Sequence, residues 1–494
     1  MNPFDPISDR LQAADTLAYR GKVTSVRGLL IRGDLPNASI GTTCRLDPPS
    51  GPPVWADVVG LDGSRVVMMP LSQPTGLTAG TPISMTGQGR QLELGDGVLG
   101  RVLNGIGAPM DGKGPLENVD RVSMSPRPIN PMDRKPIHRP FDVGVRAING
   151  LMTLGEGQRV SVMASAGVGK STLLAMMARN AQADVVVLGL IGERGREVRE
   201  FIERDLGMGS DSSKRVVVVA ATSDESAAMR LRAAHTATSV AEYFRDKSKR
   251  VLLLMDSLTR VVMAQREIGL SVGEPPATRG YPPSAFAVIP QLLERAGNYD
   301  GGSITAIYTT LFEANDHDDP IADAVRGTAD GHIVLSRELA EKGQYPAIDV
   351  LASLSRVMSH VTDEEHQRGA ARFRELLADF RSADELRSLG AYEMGTNPRY
   401  DLAIQMAPQL RAFIAQRPDE HANLDEVTRF RGVLGPNVDE LLVDVVVLLV
   451  THVAEVNRGL ADDAGDRRLA VHGDVLTLRD RSVRAADRVD PEVS

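Results

Sequence analysis

One short stretch constrains this chain more than any other. Val160–Met163 is an unbroken apolar run, Ala164-Ser-Ala-Gly-Val-Gly-Lys-Ser171 is a glycine-rich turn, and Ser171–Asn180 carries a helical pattern. Holding a phosphate by main chain takes several N–H groups pointing inward, and that demands tight turns free of side-chain bulk. Gly167 and Gly169 supply them, and the first turn of the helix adds the positive end of its dipole. The candidate phosphate-binding residues are therefore Ser165, Ala166, Gly167, Val168, Gly169, Lys170, Ser171 and Thr172. Lys170 has the reach for the outer phosphates, and the Ser171 hydroxyl suits Mg²⁺. The strict form of the motif opens on glycine, where this chain has Ala164. A chance glycine-rich turn would lack the strand before and the helix after.

From about residue 150 the pattern is strand and helix in alternation. Val160–Met163, Val185–Ile191, Val216–Ala220, Val251–Met255 and Ile304–Tyr308 are apolar without polar alternation, the mark of strands buried on both faces. Between them Val198, Phe201, Ile202 and Asp205 or Leu206, and then Met229, Ala233, Val240 and Phe244, keep helical spacing. The expected fold is α/β, with a mostly parallel, doubly wound sheet. Residues 21–95 read instead as short strands broken by Pro and Gly, with a hairpin signal at Asp62-Gly63 between Val54–Val59 and Arg65–Met69. A small β-barrel is expected there. Turn signals follow at Asn104-Gly105 and Asp111-Gly112, and Pro126 to Pro140 is a proline-rich connection. From 365 to 457 the pattern is helical, with breaks at Gly390, at Gly395-Thr-Asn-Pro398 and at Gly435-Pro436. The predicted organisation is an N-terminal helix (1–20), a barrel (21–95), a nucleotide-binding domain (96–364), a helical domain (365–457) and a charged tail (458–494).

The N-terminal helix is amphipathic. Asp5 caps it, Pro6 suits its first position, and Ile7, Leu11, Ala14 and Ala18 share a face. That stripe fits packing on its own domain as well as docking to a membrane surface or partner. Charge narrows the partners: 56 Lys and Arg against 65 Asp and Glu leave a net −9, a poor balance for a nucleic-acid binder. The single cysteine, Cys44, excludes an internal disulfide and a multi-cysteine metal site, as expected of a reducing compartment. The N-terminus lacks a signal-peptide pattern, and runs such as Val445–Val450 are far short of a membrane span. The expectation is a soluble, cytoplasmic protein.

Two carboxylates sit where chemistry on a phosphate needs them. Asp256 ends the apolar strand Val251–Met255, and strand C-termini face the ligand crevice in a parallel sheet, so it is a candidate Mg²⁺ carboxylate. It is also placed to cap the helix that begins near Ser257. Glu193 follows the strand Val185–Ile191 within Gly192-Glu-Arg-Gly-Arg196 and is a candidate to polarise an attacking water. The same pattern suits a solvated charged loop.

Together with further segments, these motifs closely resemble the type III secretion ATPases, above all the flagellar export branch, relatives of the rotary ATP synthase catalytic subunit. The resemblance spans about 20 to 430. It is carried by Asp142-Val-Gly-Val-Arg-Ala-Ile-Asn-Gly150, Leu190-Ile-Gly-Glu-Arg-Gly-Arg-Glu-Val-Arg199, Leu254-Met-Asp-Ser-Leu-Thr-Arg260, Gly273-Glu-Pro-Pro-Ala-Thr-Arg-Gly-Tyr-Pro-Pro283, Gly331-His-Ile-Val-Leu-Ser-Arg337, Tyr345-Pro-Ala-Ile-Asp349 and Ser353-Leu-Ser-Arg356. The resemblance implies a Mg²⁺-dependent ATPase with a small β-barrel, a RecA-like P-loop domain and a helical C-terminal domain, assembled as a hexameric ring. By the same resemblance Lys170 and Ser171 hold phosphate and Mg²⁺, Glu193 activates water, and Asp256 serves the metal. Arg194 and Arg260 lie near the terminal phosphate, Tyr345 stacks on adenine, and Arg356 is the finger lent to a neighbouring subunit. Implied partners are a coiled-coil central stalk, a stator-like regulatory dimer at the N-terminus, the export gate and substrate–chaperone complexes, with peripheral association at the inner membrane and no nucleic acid.

Some features depart from the family pattern. Ala164 is tolerated there. Phe312-Glu-Ala-Asn-Asp316 replaces a usual glycine before acidic residues, and the chain continues about sixty residues beyond Leu434, with an added helix expected at Val438–Val456 that Asp444 interrupts. Three rivals share the core. A non-hydrolysing regulatory subunit would lack Glu193. A proton-driven synthase subunit would differ only in its partners. An RNA translocase would need an aromatic, basic barrel, whereas Trp55 is the only aromatic in residues 21–95. Between secretion systems, Gly273–Thr278 and Gly301–Thr305 lean toward flagellar export over a virulence system.

Overall fold

A computed structural model describes residues 20–63, 65–85, 91–124, 130–207, 214–312 and 319–429. The helix expected at 5–19, the segment Glu313–Asp316, the Gly435-Pro436 break, the helix expected at Val438–Val456 and the charged tail lie outside the described residues.

Six strands, β1 (Arg20–Arg27), β2 (Leu30–Asp34), β3 (Thr43–Leu46), β4 (Val54–Asp62), β5 (Arg65–Pro70) and β6 (Pro82–Met85), close into a barrel in the order β1-β2-β5-β4-β3-β6. Alternate side chains turn inward, so Ile31, Leu46, Met68 and Ile83 meet in a core sealed from water. Asp62 pairs with Arg65, which moves the β4–β5 turn one residue beyond the Asp62-Gly63 expectation, and Gly63 takes the left-handed φ of 61°. Cys44 lies in this core, where burial first and nearby Asp57 second push its thiol up to about 12. β7 (Gln91–Leu94) does not join the barrel; it pairs with β9 (Asp120–Ser123) in a sheet of its own.

The central layer is a nine-stranded sheet. Its path runs β19 (Ile348–Ser355), β18 (Gly331–Leu335), β12 (Arg159–Ala164), β17 (Ser303–Leu311), β15 (Arg250–Asp256), β13 (Val185–Ile191), β14 (Val216–Ala221) and β8 (Val102–Asn104), and β16 (Gly297–Asn298) pairs off this path with β17. β10 (Pro140–Phe141) and β11 (Leu154–Gly155) form a separate ladder. Strands β8, β12, β13, β14, β15, β17 and β18 run parallel, and β19 closes the edge antiparallel. Every residue of β13 and β14 is buried, as their unbroken apolar runs require. The sheet holds four strands beyond the expected set: β8, β16, β18 and β19.

Helices cover the sheet and carry its loops. α1 (Lys170–Asn180) follows β12, α2 (Gly195–Glu200) follows β13, α3 (Ala227–Asp246) lies across β13, β14 and β15, and α4 (Leu258–Val272) follows β15. α3 also reaches the barrel: its Arg232 donates to Asp57 at 2.8 Å, with both side chains buried. Beyond the sheet, α5 (Glu364–Ser388) and α6 (Pro398–Ile414) pack as a helical pair, broken where the glycines at 390 and 395 take positive φ and restarted by Asn397 capping before Pro398. His366 and Arg374 of α5 meet the carbonyls of Gly150, Leu151 and Ser353, which seats the pair on the nucleotide-binding layer.

Candidate active site

Parallel strands deliver their C-termini to one rim, and three of the loops there carry the candidate residues. β12 ends at Ala164, and the chain turns through Gly167 (φ 80°) and Gly169 (φ 93°) before α1 begins at Lys170. Left-handed φ at these two positions is what glycine supplies without steric penalty. No side chain caps the start of α1, and Ser171 and Thr172 are exposed in its first turn, as a phosphate cradle requires.

β13 and β15 are neighbours in the sheet, so Glu193, two residues past β13, and Asp256, the last residue of β15, come to the same crevice. Lys170 joins them. Its Nζ donates to Asp256 Oδ1 at 2.5 Å and lies 3.5 Å from Glu193 Oε1. Both alternative readings of the carboxylates fail on this geometry. Ser257, not Asp256, caps α4, its hydroxyl accepting from the Arg260 N–H. The Glu193 side chain is only 18% exposed, so it is no solvated loop residue.

The electrostatics follow from burial and proximity. Burial disfavours the Lys170 ammonium, but Asp256 and Glu193 outweigh it and hold lysine above its ordinary range. Burial lifts the Glu193 carboxyl above the usual glutamate range, Lys170 opposes the rise, and Asp256 adds to it. A base raised in this way is better matched to proton transfer near neutral pH than a free glutamate.

Arg260 is at the site: its side chain packs against Gly192, and its Nε is buried with no hydrogen-bond partner among the described residues. Tyr345 also borders the loop, with ring carbons 3.5 Å from where a side chain on Gly169 would start. The ring is half exposed, and its carbonyl accepts from the Gln416 N–H just past α6. Arg194 lies apart from this cluster. Its carbonyl starts α2, and its side chain, 77% exposed, runs along that helix to Glu197, so it does not join Lys170. Arg356 is absent from its own crevice for a topological reason. β19 runs antiparallel, so Ser355 pairs with Gly331 at the far end of β18 while Ile348 pairs with Leu335 near the loop. Four residues of strand, roughly 13 Å at about 3.3 Å each, separate the two ends. There Arg356 is exposed on the sheet edge, its N–H bonded to the Asp330 carbonyl and its guanidinium to that of Arg326.

Sequence reasoning missed Thr309. Its hydroxyl donates to Asp256 Oδ1 at 2.7 Å from the neighbouring strand. The available signal was a polar residue near the C-terminus of an apolar strand, where β17 approaches the same rim. Among the described residues no cluster of three or more His, Cys, Asp or Glu forms a metal cage. The oxygens that are present, the Ser171 hydroxyl and the Asp256 carboxylate, fit Mg²⁺, which takes one or two protein oxygens and completes its shell with phosphate and water.

Comparison with known proteins gives the family. The flagellum-specific ATP synthase of Bacillus subtilis is 48% identical over 420 residues, which are 85% of this chain and 95% of that protein. The chain belongs to the type III secretion ATPases. Residues 144–355 match the nucleotide-binding domain of the ATP synthase alpha/beta family, and residues 362–429 match the C-terminal domain of the type III secretion ATPase EscN. The assembled EscN of enteropathogenic E. coli superposes with a TM-score of 0.78 at 43% identity, covering 84% of this chain and 99% of that one. EscN in complex with its central stalk EscO gives 0.77 at 42% identity over the same shares. The protein is thus an ATPase, and among the described residues no helix is long and apolar enough to cross a membrane.

Proposed function

We propose that this ATPase binds MgATP at the rim over β12, β13 and β15, hydrolyses it at a site shared by two subunits of a hexameric ring, and couples turnover to flagellar protein export. The convergence of Lys170, Glu193 and Asp256 within 3.5 Å carries this reading.

Backbone amides from Ser165 to Thr172 hold the phosphates, and Lys170 exchanges its two carboxylates for the outer phosphate oxygens. Ser171 and Asp256 hold Mg²⁺, which when bound supplies fixed positive charge against the phosphates. Glu193 accepts a hydrogen bond from water and takes its proton as the oxygen adds in line to the γ-phosphorus, while the bond from that phosphorus to the β–γ bridging oxygen breaks and ADP leaves with the oxygen. Arg260, half-buried near Glu193 with its Nε donor buried and unmet among the described residues, meets the charge that spreads over the γ-oxygens. Tyr345 stacks on the adenine. Arg356 completes the site of the adjacent subunit, for which its place at the opposite end of the strands suits it.

The exposed turn between α5 and α6, with Leu389 and Met394 at 78% and 56% exposure, is the surface for a coiled-coil stalk. An N-terminal stator-like dimer, the export gate and substrate–chaperone complexes complete the set, with the ring in the cytoplasm at the inner membrane. Protein concentration tests the shared site: specific ATPase activity rises steeply as rings form, and a dilute monomer turning over at the full rate would refute it.

A further inference from the structure

A strand-end aspartate serves a metal only if its free oxygen faces the right way. The assignment of Asp256 to Mg²⁺, on which this inference rests, leaves open what orients it. In this protein Asp256 Oδ1 takes two hydrogen bonds, from Lys170 Nζ at 2.5 Å and from Thr309 Oγ1 at 2.7 Å. No donor among the described residues meets Oδ2. The arrangement follows from sheet register: Met255 pairs with Tyr308, so Asp256 and Thr309 come next, side by side on one face of β15 and β17. Asp256 is 3% exposed and Thr309 is fully buried.

The two donors are not equivalent. Lys170 carries a mobile ammonium on a four-carbon stem, and phosphate draws it off Asp256 when nucleotide arrives. Thr309 is β-branched, stiff at χ1 and set in a central strand, so its hydroxyl stays. Its other acceptor, the Met255 carbonyl at 3.3 Å, is the longer contact. We propose that Thr309 is the positioning residue of the metal site: it holds Asp256 Oδ1 after Lys170 has left and keeps Oδ2 turned toward Mg²⁺. Thr309 touches neither substrate nor metal. Groups that orient a metal ligand in this way are commonly worth about 10–100-fold in metal affinity or activity.

The experiment measures how far Mg²⁺ tightens binding of a fluorescent ADP analogue to the full-length protein, as the ratio of Kd in EDTA to Kd in Mg²⁺. Thr309→Val keeps the shape and removes the hydroxyl. It should leave the EDTA value unchanged and cut the Mg²⁺ ratio by about 10-fold or more. Thr309→Ser should restore the ratio. A wild-type ratio in T309V, a serine variant no better than valine, or loss of binding in EDTA as well would each overturn the inference. Asp256→Asn separates the two layers of the argument. A wild-type ratio in D256N removes Asp256 from the metal and the inference with it. A collapsed ratio in D256N beside a normal one in T309V overturns Thr309 alone.

Discussion

Glu193→Gln keeps the size of the side chain and removes its capacity to take a proton. Across 3.5 Å, its attraction to Lys170 is about 5 kcal/mol at an effective dielectric of about 20. Burial still wins, since the carboxyl is raised and not lowered. The folded carboxyl binds its proton more tightly than the unfolded one, so the ionised group opposes folding. Its contribution falls as pH climbs from the ordinary glutamate value of about 4.3 through the raised folded value, and the whole penalty is present above that folded value. Glutamine removes that penalty, so the variant should melt no lower than wild type at pH 7. The phosphate loop and the Lys170–Asp256 pair are untouched, and nucleotide binding should hold. Turnover should fall by about 10²–10⁴, or roughly 3–5 kcal/mol of transition-state stabilisation. Single-turnover hydrolysis with nucleotide affinity measured in parallel is the assay. In wild type the acid limb of kcat/KM should lie above the ordinary glutamate range, and the variant should lack it. Turnover within tenfold of wild type would refute the role of Glu193.

Two further substitutions probe other parts of the structure. Tyr345→Ala should raise KM for ATP roughly tenfold with kcat nearly unchanged, and Tyr345→Phe should restore it, because base stacking on an aromatic is worth about 1–3 kcal/mol; an equal loss in both variants would contradict stacking. Asp57→Ala should lower stability by about 3–5 kcal/mol, read from the denaturant midpoint, because it leaves Arg232 buried without its carboxylate. Adding Arg232→Met should recover much of that loss.

Local pattern carried most of the site. The glycine spacing and the apolar strands that lead to Glu193 and end in Asp256 are signals within a few residues, and they point to one crevice without any long-range contact. What escaped was set by pairing between distant segments. β8 joins the sheet through Val102 opposite Val218, more than a hundred residues away in sequence. β18 alternates buried and half-buried residues, so it lacks the continuous apolar run that marked its neighbours. Thr309 matters only because register sets it beside Asp256. Arg194 shows the opposite case: its neighbours in sequence lie at the crevice, but it starts α2 and its side chain runs along the helix to Glu197.

Mixing two dead variants tests most directly whether two subunits build the site. Glu193→Gln lacks the base but still lends its Arg356, and Arg356→Ala lacks the finger but keeps its base. Each alone should be nearly inactive, with the finger worth about 10³–10⁵ in rate. In rings assembled from an equal mixture, about a quarter of the head-to-tail interfaces would pair an intact Glu193 with an intact Arg356. ATPase activity should therefore return to a substantial fraction of wild type. Mixed rings that form but stay as inactive as either parent would contradict a shared site.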